Sequence, residues 1–335
     1  MHLTNNPSEK YRHDFVRDLP RIIKTRRVDA VAILGDLTEE KDRHSAQLVN
    51  AVVEELAAIA EVCPLLAMMG NHDYRNEGHP FFAFVQRIKD ITWVDKVGDA
   101  SSSLPTPITR GIFQGCLFLP HTRNHERDWA VVKLPFKDYR FIFAHNTFDG
   151  SKTPAGKSLE GIPVSVFGKI ANNKVIAGDV HTPQAVGPVT YVGAPYTVDF
   201  GDEFDPRMIE INGYTFSSIS VKQWTQKRLL VLDDLNVWTK RMQDAKIKEG
   251  DIVKVRLHVK DMTDWASLHA DILKLCNKLG VQLFRAEPII EHKALRRQHR
   301  VRPEDVADDA TIVKQYAKRH DIDAKTLAVG MELLK

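Results

Sequence analysis

Polar residues that follow four apolar runs indicate the chemistry of this chain. Gly70-Asn71-His72-Asp73 comes directly after the run Cys63–Met69. Three other apolar runs end in the same way, and they are followed by Asp36, by His145, and by Asp179 with His181. Aspartate, asparagine and histidine supply the oxygen and nitrogen ligands that manganese, iron or zinc accept, and no cysteine lies among them. The pattern predicts a metal site built from strand ends.

Two metal ions that share one carboxylate are the simplest arrangement that uses all of these metal-ligating side chains. Paired ions of this kind lie roughly 3.5–4 Å apart, where they activate a nucleophile and clamp a phosphoryl group for in-line attack. The spacing therefore predicts a binuclear phosphoesterase centre.

Alternating strands and helices must bring these residues to one edge of a sheet, because ligands collect beyond the carboxyl ends of strands in α/β proteins. Val28–Leu34 and Cys63–Met69 have the composition of strands, and Ser45–Val62 between them has apolar residues at helical spacing behind a serine cap. This unit predicts parallel pairing. Four further strands are expected in a second layer, at 112–119, 139–144, 174–177 and 189–192. The predicted fold is α/β, a two-layer β-sandwich flanked by helices.

The character of the sequence changes after a predicted hairpin at Met208–Ile211 and Thr215–Val221, whose strands are separated by Asn212-Gly213. Strands at 229–232 and 252–259, a helix at 264–279 and a strand at 281–290 then predict a small βαβ module. An arginine-containing tail with two short helical segments follows. We predict three regions: a catalytic domain at 1–222, a βαβ capping domain at 223–292 and a helical tail at 293–335.

The composition limits the class of protein but does not indicate a substrate. The chain has 335 residues, a charged fraction of 27% and a formal net charge of +3, so a local basic surface for nucleic acid is neither required nor excluded. No apolar run has the length of a membrane span, and no signal-peptide pattern is present, so a cytoplasmic location is expected. Cys63, Cys116 and Cys276 lie singly in apolar segments, which favours buried free thiols in a reducing compartment.

The beginning of the sequence departs from the expected pattern. A helix is predicted at Tyr11–Arg26, yet no strand precedes it, although an α/β domain normally opens with one. We therefore expect that a longer form of the chain carries an upstream apolar strand that ends in Asp-x before His2.

These motifs resemble those of the calcineurin-like metallophosphoesterases, which carry the ordered set D-x-H, G-D, G-N-H-D, a single H and G-H-x-H. The second, third and fourth are present here as Gly35-Asp36, Gly70-Asn71-His72-Asp73 and His145. Within that superfamily the chain more closely resembles the SbcD branch, the nuclease subunits of SbcCD-type complexes. Gly193-Ala194-Pro195-Tyr196-Thr197 is similar to a segment of that branch, and the βαβ module lies where its DNA-capping domain would be.

The resemblance implies a role for each motif residue. Asp36 would bridge two divalent ions, manganese first, with magnesium, iron or zinc as alternatives. The remaining ligands would be His2 and His181 for the first metal, and Asn71, His145 and Asp179 for the second. His72 would act as general acid or stabilise the leaving oxygen, and Asp73 would orient His72 by a hydrogen bond. Arg75 and Asn76 are expected to meet a phosphate backbone because they lie next to the metal loop in sequence, and not because of the resemblance.

By the same resemblance the chain would be an exo- and endonuclease acting at DNA ends in repair and recombination, in a bacterial or phage-infected cell. An SbcC-like ATPase would dock on the C-terminal helices, and the catalytic domain would form a homodimer. Two motifs depart from the pattern, because nothing stands where the Asp of D-x-H belongs and Asp179 replaces the first His of G-H-x-H. The missing Asp leaves open a DNA-end scaffold with impaired turnover. The other alternative is a phosphodiesterase or phosphatase of the same fold that acts on a small molecule.

Three further histidines, His44, His121 and His125, lie outside the motif pattern and are expected at the surface. The run from Arg296 to Arg302 fits a solvated face and a DNA contact equally well.

Overall fold

The computed structural model of the chain describes residues 1–76, 78–100, 107–132, 136–221 and 224–290, together with positions 317, 322, 326, 327 and 329. The chain divides into two compact units, Met1–Ile289 and Ile290–Lys335. The predicted tail helices and the Arg296 to Arg302 run lie outside the described residues, apart from those five positions. The division into three domains stays a prediction.

A three-stranded parallel sheet forms the first layer. Its strands are β1 (Val31–Leu34), β2 (Leu65–Met68) and β3 (Ile91–Val94), paired in the order β1-β2-β3. The register pairs Leu34 with Met68, so β1 and β2 end side by side. Helix α2 (Ala46–Ala60) connects them, and its predicted cap is present because the Ser45 hydroxyl accepts the Leu48 amide at 3.1 Å. The predicted strand-helix-strand unit is confirmed.

A six-stranded sheet forms the second layer. Its strands are β4 (Gly98–Asp99), β5 (Cys116–Leu119), β6 (Phe141–His145), β7 (Val175–Gly178), β8 (Gln184–Val186) and β9 (Val189–Tyr191). The order is β4-β5-β6-β7-β9-β8, in which the two outer strands pair antiparallel and the inner four pair parallel. His145 is opposite Gly178 in the register, so Asp179 follows at the same edge. Parallel pairing therefore gathers the polar strand ends.

The two layers pack face to face through buried apolar side chains. Leu66 and Met68 of the first sheet belong to the same core cluster as Phe118 and Phe143 of the second. The rings of Phe118 and Phe143 stack with centroids 5.7 Å apart. Helices α1 (Lys10–Arg26) and α2 cover the outer face of the first sheet. The expected two-layer sandwich flanked by helices is confirmed, since a sheet that is apolar on both faces needs cover on both sides.

The C-terminal part of the described chain forms a hairpin and a third small sheet. The hairpin consists of β10 (Arg207–Asn212) and β11 (Thr215–Ser220), as predicted. The sheet consists of β12 (Lys227–Leu232), β13 (Ile252–Val259) and β14 (Gln282–Ile290), with β12 and β13 parallel. Strand β13 is followed by a helix at Trp265–Lys278, labelled α6 below. The predicted strand-helix-strand pattern is present.

Several short elements differ from the sequence-based expectation. Phe81–Arg87 forms a 3-10 helix, and the predicted strand from residue 112 begins only at Cys116. Among the described residues, the short α-helices α3 (Pro107–Ile112), α4 (His125–Asp128) and α5 (Trp238–Asp244) were not predicted. Elements of four to seven residues depend on tertiary packing, because so short a helix has little stability of its own.

Two further observations concern the first residues and the surface of the first sheet. Before α1 the chain forms one isolated parallel bridge, from Leu3 to Thr38. A cavity of about 650 Å³ is lined by residues of β1 and β10, and its lining includes Asp36, His145 and Asp179. The cavity therefore extends to the predicted metal ligands. In the part of the chain that the structure describes, no helix is long and apolar enough to cross a membrane.

A contact between α1 and α2 makes the stability of the fold depend on pH. Buried His13 lies 2.9 Å from the Glu55 carboxylate through Nδ1 and 3.1 Å from the Thr4 carbonyl through Nε2. The hydrogen bond to Glu55 outweighs burial and raises the pKa of His13. A raised pKa in the folded state stabilises the fold below the unfolded pKa of about 6.5, and this contribution disappears as the pH rises through the folded value.

We therefore expect His13→Gln to lower the free energy of unfolding more at pH 6 than at pH 9. Urea unfolding of both proteins at the two pH values measures the difference. His269→Gln, on the exposed side of α6, is the matched control and should change the free energy of unfolding by less than about 0.5 kcal/mol. An equal loss at both pH values would contradict the assigned hydrogen bond.

Candidate metal centre

Asp36 occupies the middle of the polar cluster at the strand ends. It is 3% exposed and follows β1 through Gly35. Its Oδ2 lies 3.2 Å from His145 Nε2 and 3.3 Å from His2 Nε2. One carboxylate oxygen therefore faces histidines from both halves of the predicted centre. This is the position that a shared ligand would occupy.

The second half of the centre forms around His145 at the end of β6. Its Nδ1 donates to the carbonyl of Leu34, so in the neutral ring that nitrogen carries the hydrogen and Nε2 has the lone pair that would bind a metal in place of a proton. Nε2 lies 3.3 Å from Asn71 Oδ1 and 3.8 Å from Asp179 Oδ1. Three ligand atoms, from Asp36, His145 and Asp179, lie within 4.8 Å of one another. Such a set fits a divalent cation.

The first half contains His2 and His181. Their Nε2 atoms lie 3.0 Å apart, and His2 is 6% exposed. Two imidazole nitrogens that face each other cannot both donate, whereas two lone pairs can converge on a cation. His181 follows β7 by three residues, while His2 is held by its amide, which donates to the Asp36 carbonyl at 2.7 Å. The structure thus brings all six predicted ligands together, and their assignment as ligands stays a prediction.

The backbone at these strand ends has an unusual conformation. His2, Asp36 and Asp179 have φ angles of 53°, 55° and 79°. Only a few per cent of residues other than glycine adopt positive φ, although His and Asp do so more often than most. Left-handed residues that cluster at one site are typical of functional centres, where the fold compensates for the local cost.

Burial and charge set the protonation of the centre. Burial raises the pKa of Asp36, but the charge and hydrogen bond of His145, followed by those of His2, outweigh it and hold the pKa well below its ordinary value. Burial lowers the pKa of His145, but the charge of Asp36 prevails and raises it to about 9. Burial, and then the charge of His2, lowers the pKa of His181 to about 3. His181 is therefore a neutral imidazole with a free lone pair near neutral pH.

His72 and Asp73 differ in their surroundings from what the sequence predicted. Asp73 is fully buried, and its two oxygens accept the backbone amides of Asp36, Leu37 and Gly70 at 2.9, 2.9 and 2.7 Å. The expected hydrogen bond from Asp73 to His72 is wrong, because His72 Nδ1 lies 2.7 Å from the Glu39 carbonyl instead. The carbonyl fixes the tautomer of His72 and leaves Nε2 available. Asp73 holds the two loops together, and the catalytic role of His72 stays a prediction.

The predicted DNA-contact residues lie on the loop that follows His72. Arg75 and Asn76 are both exposed, and the Arg75 side chain is 63% exposed. Arg75 Nη1 lies 3.6 Å from Asp42, and its carbonyl accepts Arg123 at 3.2 Å. Two guanidinium groups therefore lie near this loop, and DNA contact by Arg75 or Asn76 stays a prediction.

Several residues of the site lie outside the motifs of the sequence. Glu39 forms a second candidate ligand group with His2 and His72, within 4.8 Å. His121, expected at the surface, has its ring 6.2 Å from that of His145 and lies 2.8 Å from the Tyr74 hydroxyl. Burial, and then the charge of His145, lowers the pKa of His121 to about 4. Glu39 could have been noticed because it lies three residues after Asp36, whereas only the fold brings His121 to the site.

Comparison with known proteins agrees with this geometry. The sequence model of calcineurin-like phosphoesterases matches residues 1–183, which is more than half of the chain. The chain belongs to the calcineurin-like phosphoesterase family. Members of this family hydrolyse phosphoesters with divalent metal ions, and the donor set around Asp36 fits such ions, because carboxylate, amide and imidazole groups converge there.

Three viral proteins resemble this family member along part or most of its length. Putative phosphoesterase 244L of Invertebrate iridescent virus 6 is 23% identical over 271 residues, which cover 77% of this chain and 85% of that protein. Putative phosphoesterase 078R of Invertebrate iridescent virus 3 is 25% identical over 185 residues, half of each chain. An uncharacterized protein of Acanthamoeba polyphaga mimivirus is 19% identical over 328 residues, 92% of this chain and 23% of that one. The likeness to the first reaches beyond the family match.

Gly70 packs closely against Asp36, so a larger residue at position 70 should disturb metal binding. A methyl group on Gly70 would lie 2.3 Å from Asp36 Oδ1 and 2.5 Å from the Asp36 amide. We expect Gly70→Ala to displace the Asp36 carboxylate and to lower the affinity for manganese by about 10–100-fold, the usual effect of disturbing the surroundings of a metal ligand. Isothermal titration with manganese measures this. Gly201→Ala, whose methyl group has open space, is the control and should bind as the wild type does.

Proposed function

We propose that this phosphoesterase is a manganese-dependent nuclease that hydrolyses phosphodiester bonds at DNA ends. Lys227, the first residue of β12, lines the same cavity of about 360 Å³ as His2, Asp36 and Asp179. The third sheet thus contributes to the wall of the metal cavity, which supports a capping role for it. Exposed Arg75, on the loop that follows His72, suits a sugar-phosphate backbone.

In this proposal the bound metals supply Lewis acidity and lower the pKa of water. The residues of the chain position the reaction around them. The His72 amide donates to Asp36 Oδ1 at 2.9 Å, which fixes the distance between His72 and the centre of the site. With Nδ1–H held by the Glu39 carbonyl, Nε2 of the protonated His72 ring would donate a proton to the leaving oxygen and leave the ring neutral.

The proposal includes an SbcC-like ATPase partner, which would bind the C-terminal region, and a homodimer formed through the first domain. Both rest on the resemblance of the motifs to those of the SbcD branch. Backbone contacts of this kind read no bases, so DNA binding should weaken steeply as the salt concentration rises.

The test is hydrolysis of end-labelled linear duplex DNA with manganese, by the wild type and by His72→Ala. We expect products that begin at the ends and a loss of about 10²–10⁴-fold in His72→Ala, the range for a general acid. Exposed His269→Ala is the matched control and should retain the wild-type rate. Equal cutting by His72→Ala and the wild type would reject the role of His72, and failure to cut DNA with or without an ATPase would reject the nuclease.

A small-molecule phosphodiester is the second candidate substrate. The cavity volume of about 360 Å³ favours it, because pockets of roughly 300–1,000 Å³ hold small ligands. A nucleoside phosphodiester assayed beside the duplex separates the two candidates. Hydrolysis of the small diester alone, with duplex DNA left intact, would select this second candidate.

A further inference from the structure

Glu39 provides a carboxylate at the side of His2 that faces away from Asp36. Its Oε2 lies 3.2 Å from His2 Nδ1 and 3.3 Å from Arg12 Nη1. Within the described residues His2 Nδ1 makes no hydrogen bond of good angle, although it is buried. The Glu39 side chain is 46% exposed, so it has room for the small rotation that completes this bond.

The two ring nitrogens of His2 face different partners. Nε2 points towards Asp36 Oδ2 at 3.3 Å and His181 Nε2 at 3.0 Å, which is the direction of the first metal half. Nδ1 is left for Glu39. A carboxylate on the nitrogen that does not bind the metal fixes the ring orientation and makes the other nitrogen a stronger ligand. The position of Glu39 therefore matches a positioning role on His2.

Arg12 holds both members of this pair. Its Nη1 donates to the His2 carbonyl at 2.5 Å and lies 3.3 Å from the Glu39 carboxylate. The side chain of Arg12 is 5% exposed, so its position is determined by the surrounding protein. A guanidinium presents several donors in one plane and can fix two acceptors at once. The backbone of His2 and the carboxylate at its ring are thus held by the same group.

A chain of alternating charges extends from Arg12 to the third sheet. Arg12 Nη2 lies 2.9 Å from Glu9 Oε2, and Glu9 Oε1 lies 2.5 Å from Lys227 Nζ. Glu9 and Lys227 are each 6% exposed. Breaking a buried ion pair leaves an uncompensated charge at a high cost in free energy, so this row of charged side chains resists displacement. It joins β12 to the first metal half.

We propose that Glu39, held by Arg12, is the positioning residue for His2 and sets the metal affinity of the first half of the centre without serving the second half. The proposal deepens the metal centre under the proposed function and depends on its assignment of ligands. The two halves of the centre differ in this respect, because His145 has its Nδ1 held by a backbone carbonyl rather than by a carboxylate.

The test is isothermal titration calorimetry of the full chain with manganese. The wild type should show two binding steps, and Glu39→Gln should weaken one of them about 10–100-fold while the other is unchanged. Asp179→Asn should weaken the binding step of the second half. In the double variant, Glu39→Gln should then weaken the binding step of the first half. Exposed Glu54→Gln on α2 makes the same chemical change elsewhere and should leave both steps unchanged.

Each outcome decides the proposal. Two unchanged steps in Glu39→Gln would overturn it, and so would equal weakening of both steps. Absence of manganese binding by the wild type would overturn the metal centre together with this inference. Two wild-type steps with no selective effect of Glu39→Gln would overturn the inference alone and leave the proposed function standing.

Discussion

We expect Asp36→Asn to lower metal-dependent phosphodiester hydrolysis by roughly 10³-fold. Removing one group that stabilises the transition state costs about 10²–10³-fold, and the Asp36 charge faces both halves of the centre. Its Oδ2 lies within 3.3 Å of both His2 Nε2 and His145 Nε2. Asparagine keeps the shape and can still accept the His72 amide, so the loss follows from the missing charge. Initial rates with bis-p-nitrophenyl phosphate and manganese measure it.

The control for this prediction is Asp29→Asn, an exposed carboxylate just before β1. It makes the same change of charge without touching the centre and should retain the wild-type rate. Hydrolysis by Asp36→Asn within a few fold of the wild type would mean that Asp36 is not the shared ligand.

The second large effect is expected for stability. Asp73→Asn should lower the free energy of unfolding by roughly 3 kcal/mol, because hydrogen bonds to charged groups contribute about 1.5–3 kcal/mol each. One Asp73 oxygen accepts two amides and the other accepts one, and an asparagine nitrogen in either place would face a donor. Burial, and then the charge of Asp36, raises the pKa of Asp73. This unfavourable charge offsets part of the loss, so three full hydrogen-bond contributions are not expected.

Urea unfolding followed by circular dichroism measures the change produced by Asp73→Asn. Asp29→Asn is again the matched control, and an exposed carboxylate should alter the free energy of unfolding by less than about 0.5 kcal/mol. A fall of under 1 kcal/mol in Asp73→Asn would contradict the view that this side chain holds the loops after β1 and β2 together.

The central sheets could be predicted because their strands are apolar on both faces, and because β1, β2 and β7 lead into Gly-Asp or Gly-Asn. Parallel register then places Asp36 beside Asn71, and His145 beside Asp179, without further information. The strands before Gly35 and Gly70 are uninterrupted apolar runs, which are typical of buried parallel strands.

The parts that could not be predicted depend on contacts between distant segments. Asp73 looked like a partner for its neighbour His72, but three backbone amides from two loops surround it instead. The contacts of Arg12 with His2 and Glu39 form only when α1 packs beside the loop after β1. His121 is 24 residues from His145 in sequence, and only the pairing of β5 with β6 brings them together. Local patterns contain no information about such contacts.

Anomalous scattering from crystals of the full chain soaked in manganese chloride would locate the bound metal ions. We expect two peaks on either side of Asp36 Oδ2, one between His2 and His181 and the other among Asn71, His145 and Asp179. A single peak, or peaks away from Asp36, would contradict a binuclear centre that shares this carboxylate.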